Sequence, residues 1–318
     1  NLLREIEERI NSVFESLDMK FSYKEHDNEI QMPEDFESYD AERSNEDSYE
    51  FVKTEFEKTH AKITERSVFL IIKPESLAMM PMTKLRDAYM EMKYTDYSKE
   101  KPERKQFISR WLQDENLRKY INFGVYPPPL VCPSNEYNLW KPFKVSTYKD
   151  EYEKDEEGLE MFKENVSILC NHDKEATNYL MSWLGQMFQY PATKSIAITL
   201  ISAEGAGKGR LIHILTKLIG AGNRVVEITT PSKECWGGGY NPIMEDAFLV
   251  NLNEMCKKEA MAAENEIKAL ITDGTIRISK KHIDSYIISS FHRFLISSNN
   301  DEPFKLKKGD RRHFVVRS

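Results

Sequence analysis

The stretch Ile196-Ala-Ile-Thr-Leu-Ile-Ser-Ala-Glu-Gly-Ala-Gly-Lys-Gly-Arg-Leu211 decides the fold of this chain. Its first part, Ile196 to Ile201, is apolar and rich in β-branched residues, which predicts a buried strand. Glycines then surround Lys208, and a helical stripe of apolar residues begins at Leu211 and ends near Gly220. A strand that leads through a glycine-rich turn into a helix N-terminus directs backbone N–H groups toward one anion. The stretch therefore predicts a phosphate-binding loop.

This loop also supplies the predicted ATP-binding residues, with the Lys208 ammonium as a point charge for the β- and γ-phosphates. The predicted set is Glu204, Gly205, Ala206, Gly207, Lys208, Gly209 and Arg210. Two positions depart from the pattern G-x-x-x-x-G-K-[ST], since Ser202 stands at the first Gly and Gly209 at the hydroxyl. Taken alone, the stretch also fits a lysine in an ordinary glycine-rich turn between a strand and a helix.

Length and composition describe an ordinary globular protein. The 318 residues are enough for two or three domains, and 31% are charged. No apolar run is long enough for a membrane span. The four cysteines are far apart and lack the spacing of metal ligands, which predicts free thiols in a reducing, intracellular compartment rather than a secreted protein. The first residue is Asn rather than Met, so we expect a piece of a longer polypeptide.

The net charge of −7 is unevenly distributed along the chain. Acidic residues greatly outnumber basic ones in residues 1–50, whereas basic residues predominate over 275–318. This asymmetry indicates that a polyanionic partner would meet the C-terminal part. Solvated surface at both ends is the alternative interpretation.

The hydrophobic pattern predicts four segments. Residues 1–65 are an acidic helical and loop segment, and residues 66–150 are an α+β region that is mostly helical over 80–120. Residues 151–190 are helical. Residues 191–318 alternate strands with helices and include the phosphate loop, which predicts an α/β fold with a mainly parallel central sheet.

Four polar side chains beyond the loop are the candidates for chemistry. Glu254 follows a buried strand, where a carboxylate can orient an attacking water. Asn299 follows another strand and can hydrogen-bond that water or the γ-phosphate. Arg311 and Arg312 can neutralise developing charge across a subunit boundary. Each also has a plain alternative, as an exposed strand-end Glu, a turn-forming Asn or a solvated basic turn.

Four short runs of sequence follow one another in an order that resembles a known family. Glu204-Gly-Ala-Gly-Lys-Gly, Leu249-Val-Asn-Leu-Asn-Glu254, Ser297-Ser-Asn-Asn300 and Gly309-Asp-Arg-Arg312 follow one another along the chain. In this order they resemble the superfamily 3 helicases. They are most similar to the helicase part of the poxvirus-type primase–helicases of large DNA viruses and phages. The resemblance covers about residues 105–318.

The resemblance implies a fold, an activity and partners. The implied fold is an AAA+-type P-loop ATPase core preceded by a helical collar. The implied activity is ATP-dependent DNA unwinding by a homo-oligomeric, hexameric ring on single-stranded DNA, with ATP and Mg²⁺ as cofactors. A primase domain in the same polypeptide is implied as a possibility. The predicted hairpin turn of Lys280, Lys281 and His282 would point into the channel, and its cations would grip DNA phosphates.

This chain departs from that family at two positions whose side chains usually hold Mg²⁺. A hydroxyl after the loop lysine and an acid before the catalytic Glu are replaced here by Gly209 and Asn253. We therefore predict that phosphates and waters hold the metal, with Glu254 nearby and Asn253 acting through water. Two other functions stay open from the sequence. One is a nucleotide-binding but catalytically weak assembly module, and the other is a P-loop kinase that does not act on DNA.

Overall fold

The computed structural model describes residues 46–73, 77–147, 155–220, 222, 224–235, 239–255, 264–300 and 309–318. Chain contacts divide the described residues into two units. One unit holds 46–123 and 134–137, and the other holds 124–133 and the described residues from 138 onward. The predicted helix near the start of the chain and most of the acidic loop after it lie outside the described residues.

The smaller unit combines short helices with a four-stranded sheet. Its helices are α1 Tyr49–Thr59, α2 Met82–Ala88 and α3 Phe107–Trp111. The strands up to the second unit are β1 His60–Ile63, β2 Val68–Ile72, β3 Leu77–Pro81, β4 Lys93–Asp96, β5 Glu103–Gln106, β6 Lys119–Tyr120, β7 Asn122–Gly124 and β8 Glu136–Asn138. The sheet order is β3-β2-β1-β6, with only the β1–β6 pair parallel.

Helical structure within residues 80–120 is limited to α2 and α3, so the prediction of a mostly helical segment is wrong. Strands β4 and β5 instead pair as an antiparallel ladder, from Lys93–Gln106 to Asp96–Glu103. Their charged residues favour helix locally, but cross-strand pairing outweighs that weak preference. The aromatic side chains of this region still form the core as expected, since Phe107 and Trp111 are fully buried against Phe56.

The larger unit alternates helices and strands as the sequence predicts. Its helices are α4 Glu156–Leu169, α5 Lys174–Gln189, α6 Lys208–Ile219, α7 Pro231–Glu234, α8 Ile243–Asp246 and α9 Glu264–Thr272. Its strands are β9 Ala197–Ile201, β10 Val225–Ile228, β11 Leu249–Asn253, β12 Thr275–Lys280, β13 Ile283–Ser289, β14 Arg293–Ser298 and β15 His313–Arg317.

Five of these strands form one parallel sheet in the order β10-β11-β14-β9-β15. The mainly parallel sheet predicted from the sequence is therefore confirmed. Because all five strands run the same way, their carboxyl ends meet at one edge, where parallel α/β sheets bind ligands. The other two strands, β12 and β13, form an antiparallel hairpin.

Helices α4, α5 and α6 cover the parallel sheet with their apolar faces. Asp155 and Asp173 cap α4 and α5 by accepting hydrogen bonds from backbone N–H groups in the first turn. Trp183 of α5 packs into the core and donates its indole N–H to the Ile196 carbonyl at 2.9 Å. This bond fixes α5 beside the start of β9 and so positions the strand that leads into the loop.

Two expectations from composition concern the whole chain. Among the described residues, no helix combines the length and the apolar character that a bilayer crossing requires. Cys132, Cys170 and Cys235 form no disulfide with one another, and Cys256 lies outside the described residues.

Candidate nucleotide site and basic hairpin

A cavity of about 450 Å³ opens at the carboxyl edge of the parallel sheet. The glycine-rich loop forms one wall, and the ends of β10, β11 and β14 form the other. All seven predicted ATP-binding residues line it, from Glu204 to Arg210. The remaining lining residues are Ile212, Glu227, Asn251, Asn253, Glu254, Ser297 and Asn299. The structure thus brings the loop together with both predicted strand-end residues.

The loop has the backbone geometry that only glycine adopts easily. Gly205 has φ +80° and Gly207 has φ +101°. A Cβ at Gly207 would also overlap the side-chain amide of Asn165 on α4. Helix α6 starts at Lys208, directly after Gly207, so the N–H groups of its first turn face the cavity mouth without helical partners. This arrangement can bind a phosphate group.

Lys208 is held by the groups around it. Its ammonium donates to the carbonyl and hydroxyl oxygens of Ser202, both at 2.8 Å, and to Asn299 Oδ1 at 2.7 Å. Burial lowers the pKa of Lys208, while the carboxylates of Glu254 and Glu204 oppose that shift. Ser202, which replaces the first Gly of the loop pattern, therefore helps to fix the lysine. An incoming phosphate would take over some of these hydrogen bonds.

A chain of hydrogen bonds links the three central side chains of the prediction. Asn299 accepts from Lys208 and donates through Nδ2 to Glu254 Oε1 at 2.7 Å. Glu254 has φ +47°, a left-handed conformation that is uncommon for this residue type, and its N–H donates to the Ser297 carbonyl at 2.8 Å. The end of β14 thus fixes Glu254 where it leaves β11.

A second polar network lies beside the first. Asn253 donates through Nδ2 to Glu227 Oε1 at 2.7 Å. The Ser297 hydroxyl lies 2.8 Å from Asn253 Oδ1 and 2.9 Å from Asn251 Oδ1, and its single proton is donated to one of them at a time. Glu227 was not predicted from the sequence. The available signal was a single acidic residue inside the apolar strand β10, where a side chain must point to a different face from its neighbours.

The oxygen chemistry of this wall suits a hard divalent cation. Glu227 and Glu254 supply carboxylates, Asn253 an amide oxygen and Ser297 a hydroxyl, all lining the cavity. Mg²⁺ binds through one or two carboxylates together with substrate phosphates and waters. Within the described residues, no cluster of three or more His, Cys, Asp or Glu side chains could hold a metal by itself.

The two predicted arginines do not line this cavity. Arg311 and Arg312 stand just before β15, whose first residue His313 pairs with Ala197 at the start of β9. The Arg312 carbonyl accepts from the Ala197 N–H at 2.8 Å. Both arginines therefore lie at the amino edge of the sheet, opposite the cavity of their own chain.

The hairpin separates its three predicted DNA-contacting residues. Lys281 and His282 form the exposed turn between β12 and β13, and His282 has φ +63°. Lys280 instead forms an ion pair with Glu245, whose side chain is 1% exposed and which also accepts a hydrogen bond from Tyr286. The Lys280 side chain therefore anchors the turn end of the hairpin, and Lys281 and His282 present their side chains at its tip.

The fold and the cavity together define a mixed α/β protein with a glycine-rich, lysine-bearing loop at the carboxyl edge of a parallel sheet. A family model described as a family of unknown function (DUF5906) matches residues 200–312. All residues that line the cavity fall within that range.

Similarity to a phage protein extends further along the chain. The chain is 27% identical over 184 residues to a DNA primase-polymerase of Nitratiruptor phage NrS-1, covering 56% of this chain and 24% of that protein. Two apo structures of the NrS-1 C-terminal region match with TM-scores of 0.61 and 0.64. Each is 21% identical and covers 85% of this chain and 60% of that chain. The chain thus spans about a quarter of this relative, and the structural matches show a shared fold.

Proposed function

We propose that this chain is an ATP-driven, ring-forming DNA helicase that acts in replication of a viral or phage genome. The observation that carries the proposal is the hydrogen-bonded series Lys208–Asn299–Glu254 at the mouth of a glycine-rich loop. A cation for phosphates, a polar group and a carboxylate at strand ends are the parts that nucleotide hydrolysis needs.

The residues of the cavity have separate tasks in this proposal. The loop N–H groups and Lys208 bind the phosphates. Glu254 orients a water for in-line attack on the γ-phosphorus and accepts its proton, while Asn299 holds Glu254 in position. Bound Mg²⁺ would neutralise charge on the phosphate oxygens. Because Lys208 and Glu254 share Asn299 as a partner, phosphate binding at the lysine is coupled to the position of the carboxylate.

The position of the arginines supports a ring. Arg311 and Arg312 are at the opposite sheet edge from the cavity of their own chain, so they can act only on the nucleotide of a neighbouring copy. In such a ring the exposed side chains of Lys281 and His282 would contact the phosphates of single-stranded DNA. We expect a hexamer in the complete protein, with a primase domain as a further part of the same polypeptide. The name of the NrS-1 relative supports an assignment to replication.

The test is ATP turnover with and without single-stranded DNA. We expect turnover that DNA stimulates, and a fall of roughly 10²–10⁴-fold in Glu254→Gln with ATP binding retained. Lys208→Ala should lose ATP binding itself. Lys217→Ala is the matched control, since Lys217 is an exposed lysine on the same helix α6. Unchanged turnover in Glu254→Gln would remove this carboxylate from the mechanism.

A nucleotide-dependent assembly module is the second candidate. Gly209 and Asn253 favour it, because the first lacks a hydroxyl and the second lacks the negative charge of the acid that usually supports Mg²⁺ in such ATPases. That function predicts ATP binding and ATP-dependent assembly without turnover. Native mass measurement with ATP and single-stranded DNA separates the two, because a helicase requires assembly together with hydrolysis. A small-molecule kinase would show no response to DNA in either assay.

A further inference from the structure

On its metal-binding side, the cavity differs from the pattern of the family that the sequence resembles, because an acid is missing. The structure places another carboxylate beside that position. Asn253 occupies the strand-end position where the related enzymes carry an acid before the catalytic Glu. An amide has no negative charge and is a weaker ligand for a hard cation than a carboxylate. If nothing replaced that charge, the site would keep Glu254 as its single carboxylate at the end of β11.

Glu227 lies directly beside this position. It is on β10, the edge strand next to β11, and its Cα partner in the parallel register is Asn251, two residues before Asn253. Val226 and Ile228 point into the core on the other face, so the exposed Glu227 side chain lies on the cavity face. Its Oε1 accepts from Asn253 Nδ2 at 2.7 Å, and the side chain lines the same cavity as the loop.

The Glu227 carboxylate fixes which end of the Asn253 amide it meets, because a carboxylate oxygen accepts hydrogen bonds and does not donate them. Asn253 therefore turns its NH₂ group toward Glu227, and its Oδ1 lies 2.8 Å from the Ser297 hydroxyl. An aspartate at residue 253 could not donate this bond and would stand against Glu227 as a like charge. The asparagine therefore suits a site in which the neighbouring strand carries the carboxylate. With Glu254, this gives two carboxylates on the metal side of the cavity.

We propose that Glu227, oriented by Asn253, supplies the carboxylate for a divalent cation bound with nucleotide in this cavity. The inference rests on the proposed nucleotide-binding function and names a residue that the family pattern does not contain. A simple inter-strand hydrogen bond is the competing explanation for the same geometry. The two differ in one property, since only a metal-supporting carboxylate changes the affinity for the cation.

The experiment measures cation binding rather than turnover. The chain is saturated with a non-hydrolysable ATP analogue, Mn²⁺ is titrated, and bound Mn²⁺ is followed by electron paramagnetic resonance. We expect Glu227→Gln to weaken Mn²⁺ binding about tenfold. Binding of the analogue in EDTA should change less than about twofold, because that measurement contains no cation. Glu266→Gln, an exposed glutamate on α9 that does not line the cavity, is the control and should match the unmodified chain.

A compensating pair of substitutions makes the test specific. Glu227→Gln combined with Asn253→Asp moves the carboxylate to the family's position while keeping an amide across the strand pair. This double variant should recover Mn²⁺ affinity to within about threefold of the unmodified chain. Equal Mn²⁺ affinity in Glu227→Gln and the unmodified chain, or no recovery in the double variant, would overturn the proposal. Failure of the unmodified chain to bind the analogue at all would instead overturn the proposed function.

Discussion

Two polar networks of similar size lie in the same structural unit, and they differ in exposure. Lys208, Asn299 and Glu254 are bonded to one another around an open cavity. Near the turn of the hairpin, Lys280 and Tyr286 both bind Glu245, whose side chain is 1% exposed. A buried carboxylate must keep its partners, because an unpaired charge in the interior is very costly. Around the cavity, water or a ligand can replace any partner.

Residues of the same type therefore have different roles in the two networks. Glu254 and Lys208 have bonds that a nucleotide can exchange, whereas Glu245 and Lys280 form a fixed support. Burial raises the pKa of Glu245, and the ion pair with Lys280 opposes that shift. Substitutions at Glu245 or its partners should therefore change stability, and substitutions at the cavity should change binding and turnover with little effect on stability.

The largest effect is expected from Glu245→Ala. It leaves the Lys280 ammonium and the Tyr286 hydroxyl without their shared acceptor, so the free energy of unfolding should fall by about 3–5 kcal/mol. Urea denaturation followed by circular dichroism measures this change. Glu254→Gln is the comparison at the cavity and should stay within about 0.5 kcal/mol of the unmodified chain. Equal losses in the two variants would contradict the distinction between the networks.

The next largest effect is expected from acid, which should lower the free energy of unfolding through the buried His292. His292 is buried, with Nε2 at 2.8 Å from the Met244 carbonyl and Nδ1 at 2.8 Å from the Ser290 hydroxyl. Burial lowers its pKa to about 4, so the unfolded chain binds a proton at a higher pH than the folded one. Stability from this group is therefore lost as pH falls from about 6.5 toward 4.

We expect His292→Gln to lose less stability than the unmodified chain between pH 7 and pH 5, by about 1–2 kcal/mol. Urea denaturation at both pH values gives the difference. An identical pH dependence in the two proteins would mean that His292 is not held neutral in the folded state.

A smaller effect is expected at the cavity from Gly209→Ser. A Cβ at Gly209 meets no atom within 4 Å, so the hydroxyl can be added without steric conflict. We predict that the Mg²⁺ concentration for half-maximal ATP turnover falls about threefold, because a protein oxygen joins the phosphates and waters around the metal. Gly209→Ala adds the same Cβ without the hydroxyl and should leave that concentration unchanged. A matching shift in both variants would assign the effect to the backbone.

The smallest effect is expected at the hairpin tip. Lys281→Ala should weaken binding of single-stranded DNA about twofold and reduce the slope of its salt dependence by about one, since one phosphate contact is lost. Fluorescence anisotropy at several salt concentrations measures both. Lys217→Ala, on α6, controls for the change in net charge. An unaltered salt slope in Lys281→Ala would place the DNA on another surface.

Local patterns predicted the parts of the fold that depend on neighbours in sequence. The β-branched run before Ser202, the glycines around Lys208 and the apolar stripe from Leu211 each act within a few residues. Local patterns gave a wrong prediction over residues 80–120. There, pairing with a partner strand makes the charged segments form the β4–β5 ladder.

The sequence by itself determined the parallel α/β order, the position of the loop and the strand-end residues Glu254 and Asn299. Tertiary structure decided which side chains meet across strands. It brought Glu227 to Asn253, and it bound Lys280 to Glu245 rather than leaving it at the hairpin tip. The physical reason is that periodicity fixes the face on which a side chain lies. Its partner is fixed only by strand order and register, which bring together residues that are distant along the chain.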